Sequence, residues 1–192
     1  MLSKARRPIY VAGLLTLVGM GGIGVLLILL VHRIPWQALF PDNLQDWAVQ
    51  LGIGIVYGWL SSMLMLLLLR RRVMDAARTV FSNLMLRFKM RTIDIVFISL
   101  CAGIGEELLF RGGIQPWIGV WATAFVFIAL HGYLDLKDRP VLVYGLFMVV
   151  VCAGFGYLMR FFGILTAITA HSVIDILLMK YLKKPTYIDQ ND

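Results

Sequence analysis

The sequence predicts an all-α polytopic transmembrane helix bundle of about six spans, with one amphipathic helix on the cytoplasmic surface. Three observations predict it. Hydrophobic residues fill 60% of the 192 positions and the mean hydropathy is +0.83, whereas soluble domains are roughly 45–50% apolar. The apolar residues gather in long runs, and about 20 such residues cross a bilayer as a helix. The basic residues gather in alternate connections between those runs, as cytoplasmic loops do. No polar stretch is long enough to fold as a soluble domain. The net charge of +7 therefore reads as basic loops facing anionic lipid. The lipid bilayer is the expected partner and nucleic acid is not.

Lys4, Arg6 and Arg7 precede an apolar run from Ile9 to Val31. This run exceeds the 7–15 residues of a signal-peptide core and has no small-x-small cleavage site after it, so it reads as a retained first span. Its Gly19-Met-Gly-Gly-Ile-Gly24 matches G-x-G-x-x-G, but no strand precedes it, so close helix packing is the expected role. A polar connection from His32 to Asp46 follows, with His32 expected as a solvated interfacial histidine. The second span runs from Trp47 to Leu69 and carries Gly54 and Gly58 in a GxxxG pattern, a sign of tight helix contact. Arg70, Arg71 and Arg72 close it. From Val73 to Arg91, Arg78, Arg87, Lys89 and Arg91 alternate with Val80, Phe81, Leu84, Met85 and Phe88. That mixture predicts a helix lying at the membrane surface.

The third span is read from Ile93 to Phe110, with Arg111–Pro116 interrupting it, because paired glycines and a proline favour a turn or a broken helix. Further spans are read from Trp117 to Leu134, Val141 to Met159 and Phe161 to Met179, with a charged tail from Lys180. Placing both termini in the cytoplasm puts 15 of the 18 Lys and Arg residues inside, which orients the bundle, most simply in the plasma membrane. The chain thus divides into residues 1–92, two spans and a basic amphipathic segment; 93–180, the membrane domain with the polar residues; and 181–192, a polar tail. Cys101 and Cys152 lie in apolar runs without CxxC spacing and read as packing residues.

The chemistry concentrates in Gly105–Arg111, where Glu106, Glu107 and Arg111 break an apolar run. Each such group costs roughly 2.5–3.5 kcal/mol at mid-membrane on insertion scales, so intramembrane charges mark function by default. Glu107 and Arg111, four apart, share a helix face. Glu106 is turned about 100° away and is free to face a cavity. Two later segments offer partners: Phe127-x-x-x-His131 and His171-x-x-x-Asp175. A carboxylate and a histidine polarise water, and other donors stabilise a developing oxyanion. The set Glu106, His131, His171 and Asp175 equally resembles a zinc ligand set, though the HExxH spacing is missing. At about 1.5 Å per residue, straight helices would leave Glu106 and His131 offset by roughly 10 Å in depth, a gap that a tilted fourth span or a broken segment at Gly112 to Pro116 would close.

The three motifs in order resemble the CPBP family of CAAX proteases and bacteriocin-processing enzymes, also called Abi, over about residues 93–180. The resemblance implies a membrane-embedded endopeptidase of the type II CAAX prenyl protease kind, acting on a membrane-associated peptide or protein. It implies that Glu106 with His131 activates the hydrolytic water, that His171 with Asp175 faces the oxyanion or otherwise contributes to the site, and that Glu107 and Arg111 orient the others. Zn2+ or no cofactor is compatible with it. Asp175 stands where familiar members carry asparagine, and an ionised aspartate accepts hydrogen bonds without donating any. Two other classes of function fit the residues alone: a proton or metal-ion pathway in a small transporter, and a non-catalytic immunity or scaffold protein of the same fold.

Overall fold

The computed structural model describes residues 6–183. Lys4 and the tail from 184 onward lie outside the described residues, as do the side chains of Val80, Phe81, Leu84 and Met85. Among the described residues the main helices are, in order, α1 (Arg7–Val31), α2 (Leu44–Leu69), α3 (Asp75–Arg87), α4 (Thr92–Glu107), α5 (Gln115–Leu130), α6 (Arg139–Phe162) and α7 (Ile164–Leu182). Among the described residues there is no strand. Four of the helices, α1, α2, α6 and α7, are long and apolar enough to cross a membrane. The chain is a helical integral membrane protein.

Helix α7 is the hub, with α2, α4 and α6 packed along it. Small residues make the approaches close. A Cβ at Gly54 would lie 2.7 Å from the Thr166 carbonyl oxygen, and one at Gly58 would lie 2.6 Å from that of Ala170. The GxxxG of α2 is therefore a seat for the backbone of α7. The glycines of α1 split by face. Gly21 lies against Gly105 and Gly24 against the backbone of Leu108, whereas Gly19 and Gly22 have open space beside them.

The third span departs from the sequence expectation. No turn interrupts it at Arg111–Pro116. Helix α4 continues as a wider π-helical stretch, Leu108–Ile114, and leads directly into α5. Gly112 and Gly113 make room for Ile28 and Leu27 of α1. Pro116 sits in the first turn of α5, where its missing N–H costs nothing. The break lies at Gly119, with φ 80° and ψ 172° inside α5, a conformation open to glycine. Helix α5 ends at Leu130, before the expected Leu134, because Gly132 adopts φ 76°. The last two helices meet at a single residue, Gly163, with φ 110°.

Two polar contacts pin α1 at its ends. Asp94, fully buried, accepts from the Tyr10 hydroxyl at 2.6 Å and from the Arg91 backbone N–H at 2.8 Å, and Arg6 lies 3.6 Å away. The hydrogen bond to Asp94 raises the Arg91 guanidinium above its ordinary pKa. Beyond the other end, His32 is not simply solvated. It is half-buried, and its Nε2–H donates to the Gly113 carbonyl at 2.8 Å.

The glycine contacts make a direct prediction. Gly24→Ala forces Leu108 and α1 apart and destabilises the bundle by about 1–3 kcal/mol, the usual cost of overpacking. Gly22→Ala, on the open face, loses nothing. Thermal unfolding of the two variants in detergent measures the difference, and equal melting temperatures would contradict this packing.

Candidate active site

The polar residues converge in the space between α4, α5 and α7. Glu107 is 0% exposed and Arg111 1%. Their side chains pair at 3.0 Å, four residues apart across the junction of α4 and the π-helical stretch. The Arg111 guanidinium also donates to the Cys152 carbonyl of α6 at 3.1 Å. It lies over the rings of Phe127 and Phe155, 4.9 and 5.4 Å from their centroids, so each face of the buried cation meets an acceptor or a π-system.

Glu107 then fixes His171. Its Oε1 lies 2.7 Å from His171 Nδ1. A carboxylate paired with a guanidinium accepts, so Nδ1 carries the hydrogen and Nε2 faces the other way. The His171 ring stacks on Phe155 at 5.3 Å and 13° and meets Phe127 edge-on. His131 is held similarly. Its Nδ1 lies 2.7 Å from the Phe127 carbonyl oxygen, and a carbonyl only accepts, so again Nδ1 donates and Nε2 is left to the cavity. Both Nε2 atoms point toward Glu106: Oε2 is 3.9 Å from that of His131 and 3.8 Å from that of His171. Asp175 Oδ2 is 3.7 Å from His171 Nε2. These separations are too long for direct hydrogen bonds and leave room for a bridging water.

The expected depth offset between Glu106 and His131 is absent. The break at Gly119 explains this, because Glu106 lies thirteen residues before it and His131 twelve after it. The two arms are nearly equal in length. A turn at Arg111–Pro116 would have made them unequal.

Glu106, His131, His171 and Asp175 border one cavity of about 270 Å³. Its other walls come from the middle of α4 (Ile98, Ala102), the start of α6 (Tyr144, Met148) and the end of α7 (Leu178, Met179). It therefore lies toward the end of the bundle where Thr92, Arg139 and Leu182 are found. The histidines and carboxylates are suitable donors for zinc. Among the described residues no group of three His, Cys, Asp or Glu side chains is drawn together as a metal site, and the separations of 3.7–3.9 Å are slightly wider than the roughly 3.3–3.6 Å ligand-to-ligand edge of a tetrahedral shell with bonds of about 2.0–2.2 Å; a bound zinc would be held by Glu106, His131, His171 and Asp175.

All six residues singled out from sequence fall in this one region. Glu107 and Arg111 lie in the packed interior, while Glu106, His131, His171 and Asp175 line the cavity. Sequence reading missed the contributions of α6 and of the loop after α5. These are Phe155, which stacks on His171, the Cys152 carbonyl, and Tyr133 and Tyr144, which line the cavity. Aromatic residues and backbone carbonyls leave no distinctive trace in an apolar run. Only Tyr133, two residues past His131, stood near a motif.

The fold and site together define an α-helical membrane protein with a buried carboxylate–imidazole centre. Residues 88–177 match the family model described as Type II CAAX prenyl endopeptidase Rce1-like, and every site residue lies within the matched part of the chain. A curated relative, the uncharacterized protein YpbD of Bacillus subtilis (strain 168), is 35% identical over 92 residues, which are 46% of this chain and 46% of that protein. The chain thus spans about half the length of the curated relative it matches. No solved structure matches.

The buried pair carries a prediction. Arg111→Met strands Glu107 as an unpaired charge and destabilises the protein by about 3–5 kcal/mol, whereas the double variant Glu107→Gln with Arg111→Met recovers most of that loss. Unfolding of the three proteins in detergent measures it, and a single variant as stable as wild type would refute the pairing.

Proposed function

We propose that the chain is an intramembrane endopeptidase that hydrolyses a peptide bond of a membrane-associated protein or peptide with activated water. One observation carries the reading: Glu106 Oε2 stands between the Nε2 atoms of two histidines at 3.9 and 3.8 Å, on the wall of a cavity large enough to admit a backbone segment. The Rce1-like match over the same residues supports it.

In this reading the hydrolytic water donates one hydrogen to Glu106 Oε2 and the other to His131 Nε2. Its lone pair then points away from both, toward the scissile carbonyl. Glu106 is the general base. It takes a proton as the water oxygen bonds to the carbonyl carbon, and returns that proton to the amine as the C–N bond breaks. His131 orients the water. His171, held by Glu107 through Nδ1–H, turns its Nε2 to both Glu106 and Asp175, and with a proton on that nitrogen it keeps Glu106 in place from the other side. Glu107 and Arg111 are positioning residues. The substrate reaches the centre from the end of the bundle that bears the basic loops, and both chain termini lie on the cytoplasmic side of that membrane.

The test is peptide-terminus profiling of host membrane and secreted fractions, comparing wild type with Glu106→Gln and His131→Ala at matched expression. New termini appear with the wild type and vanish with Glu106→Gln, and His131→Ala lowers them by about 10²–10⁴-fold, the usual worth of a general acid–base group. Identical termini in wild type and Glu106→Gln, with both proteins intact in the membrane, would overturn the peptidase reading in favour of a transport or immunity role.

A further inference from the structure

Placing 15 of the 18 Lys and Arg residues in the cytoplasmic segments leaves Arg33, Arg111 and Arg160. Two of these, Arg111 and Arg160, border a second cavity of about 370 Å³, together with Gln115, Gly119 and Met159. It lies between the start of α5 and the end of α6, at the end of the bundle opposite Thr92, Arg139 and Leu182. No Asp or Glu borders it.

Its polar groups want partners that the chain does not supply. Buried Arg111 closes the inner end, about 12 Å deeper than Gly119 at about 1.5 Å per residue. It gives one hydrogen bond, to the Cys152 carbonyl, and one ion contact, to Glu107, fewer than its five N–H groups can make. One turn nearer the mouth, Gln115 donates from Nε2 to the Gly156 carbonyl at 3.2 Å, while its Oε1 is buried without a hydrogen-bond partner. A buried acceptor left so is costly and calls for a donor. At the mouth, Arg160 is exposed and, among the described residues, has neither a hydrogen bond nor an ion pair. A Cβ on Gly119 would meet nothing within 4 Å, so the space beside the mouth is open.

Aromatic residues set the depth of that mouth. Trp117, Trp121, Tyr157 and Phe161 all lie within three residues of Gly119 or Arg160, and all are exposed. Trp121 Nε1–H donates to the Tyr157 hydroxyl at 3.1 Å, and the Tyr157 ring stacks on Phe161. Trp and Tyr gather where a bilayer meets water, so the cavity opens among lipid headgroups.

We propose that this cavity binds the headgroup of an anionic phospholipid that carries hydroxyl groups. The phosphate pairs with the Arg160 guanidinium, whose planar fork fits phosphate oxygens. A headgroup hydroxyl folds inward and donates to Gln115 Oε1. Two guanidiniums without an acid favour a lipid of net negative charge over a zwitterionic one, and the charge of Arg111 at the inner end draws the headgroup in. The site stands whether or not the chain is a peptidase.

The test takes the full chain in detergent, stripped of lipid, and measures binding by native mass spectrometry. The probes are phosphatidylglycerol, phosphatidylcholine, inorganic phosphate and phosphatidylmethanol, which has the charge of phosphatidylglycerol without its headgroup hydroxyls. Phosphatidylglycerol binds one to one and about tenfold or more tighter than phosphatidylcholine, the worth of a charge-assisted contact. Phosphatidylmethanol binds about 2–10-fold more weakly than phosphatidylglycerol, the worth of one neutral hydrogen bond. Arg160→Gln weakens phosphatidylglycerol by about tenfold or more, while Arg33→Gln, at the same end but off this cavity, leaves it unchanged. Equal binding of phosphatidylglycerol and phosphatidylcholine by the wild type, which needs no variant to fold, overturns the site. So does phosphatidylglycerol binding that Arg160→Gln leaves intact. Phosphatidylmethanol equal to phosphatidylglycerol overturns the role of Gln115, and inorganic phosphate that displaces the lipid at equal concentration replaces the lipid with a free anion.

Discussion

A guanidinium buried to 1% exposure inside an apolar helix bundle must find its acceptors within the protein, because lipid offers none. Arg111 finds them on three helices: Glu107 on α4, the Cys152 carbonyl on α6, and the rings of Phe127 on α5 and Phe155 on α6. Satisfying that one cation therefore draws three helices to a common point. Glu107, held there, has one oxygen turned to His171, and this brings α7 into the same arrangement. The ion pair is expensive to bury, and what it secures is geometry: two imidazoles whose Nε2 atoms face the neighbouring carboxylate, Glu106.

Close helix approach is the second condition. Polar groups spread along four helices meet only if the backbones come near one another. The glycines allow this where Gly54 and Gly58 receive α7, where Gly103 lies under Ser172 of α7, and where Gly24 and Gly105 let α1 lie against α4 and its π-helical extension. Helix α7 can then be both the hub of packing and the carrier of His171 and Asp175. At its N-terminal side the single-residue join at Gly163 keeps α6 antiparallel to it and delivers Phe155 to the His171 ring. At one end of α1, Asp94 with Tyr10 and Arg91 anchors the helix, so that the wall containing Thr16 stays in register with the site.

Much of this was legible in the sequence, because two simple rules govern it. Long apolar runs in lipid must be helices, and charges inside them must find one another. The four-residue spacing of Glu107 and Arg111 located the ion pair, and the spacing of His171 and Asp175 located a shared face. Gly112, Gly113 and Pro116 misled, because glycine and proline have more than one use. Here the glycines admit Ile28 and Leu27 and the proline starts a helix, while the real break falls on Gly119 in an otherwise unremarkable apolar run. That displacement decides the depth at which His131 meets Glu106. Phe155, Tyr144 and the Cys152 carbonyl were invisible for another reason: tertiary packing gives them their roles, and nothing in the local pattern distinguishes them from ordinary apolar helix. His32 reads from sequence as a solvated interfacial histidine, because its bond to Gly113 depends on a fold contact 81 residues away.

In the proposed mechanism Glu106 works on water and does not itself attack the substrate. A single turnover in water enriched in oxygen-18, with enzyme in excess over the peptide it cleaves, separates the two routes. Direct attack by water places one heavy oxygen in the new carboxylate of the first product formed. A first-turnover carboxylate carrying only ordinary oxygen would mean that the oxygen came from an enzyme carboxylate through a covalent intermediate, and would contradict water activation by Glu106.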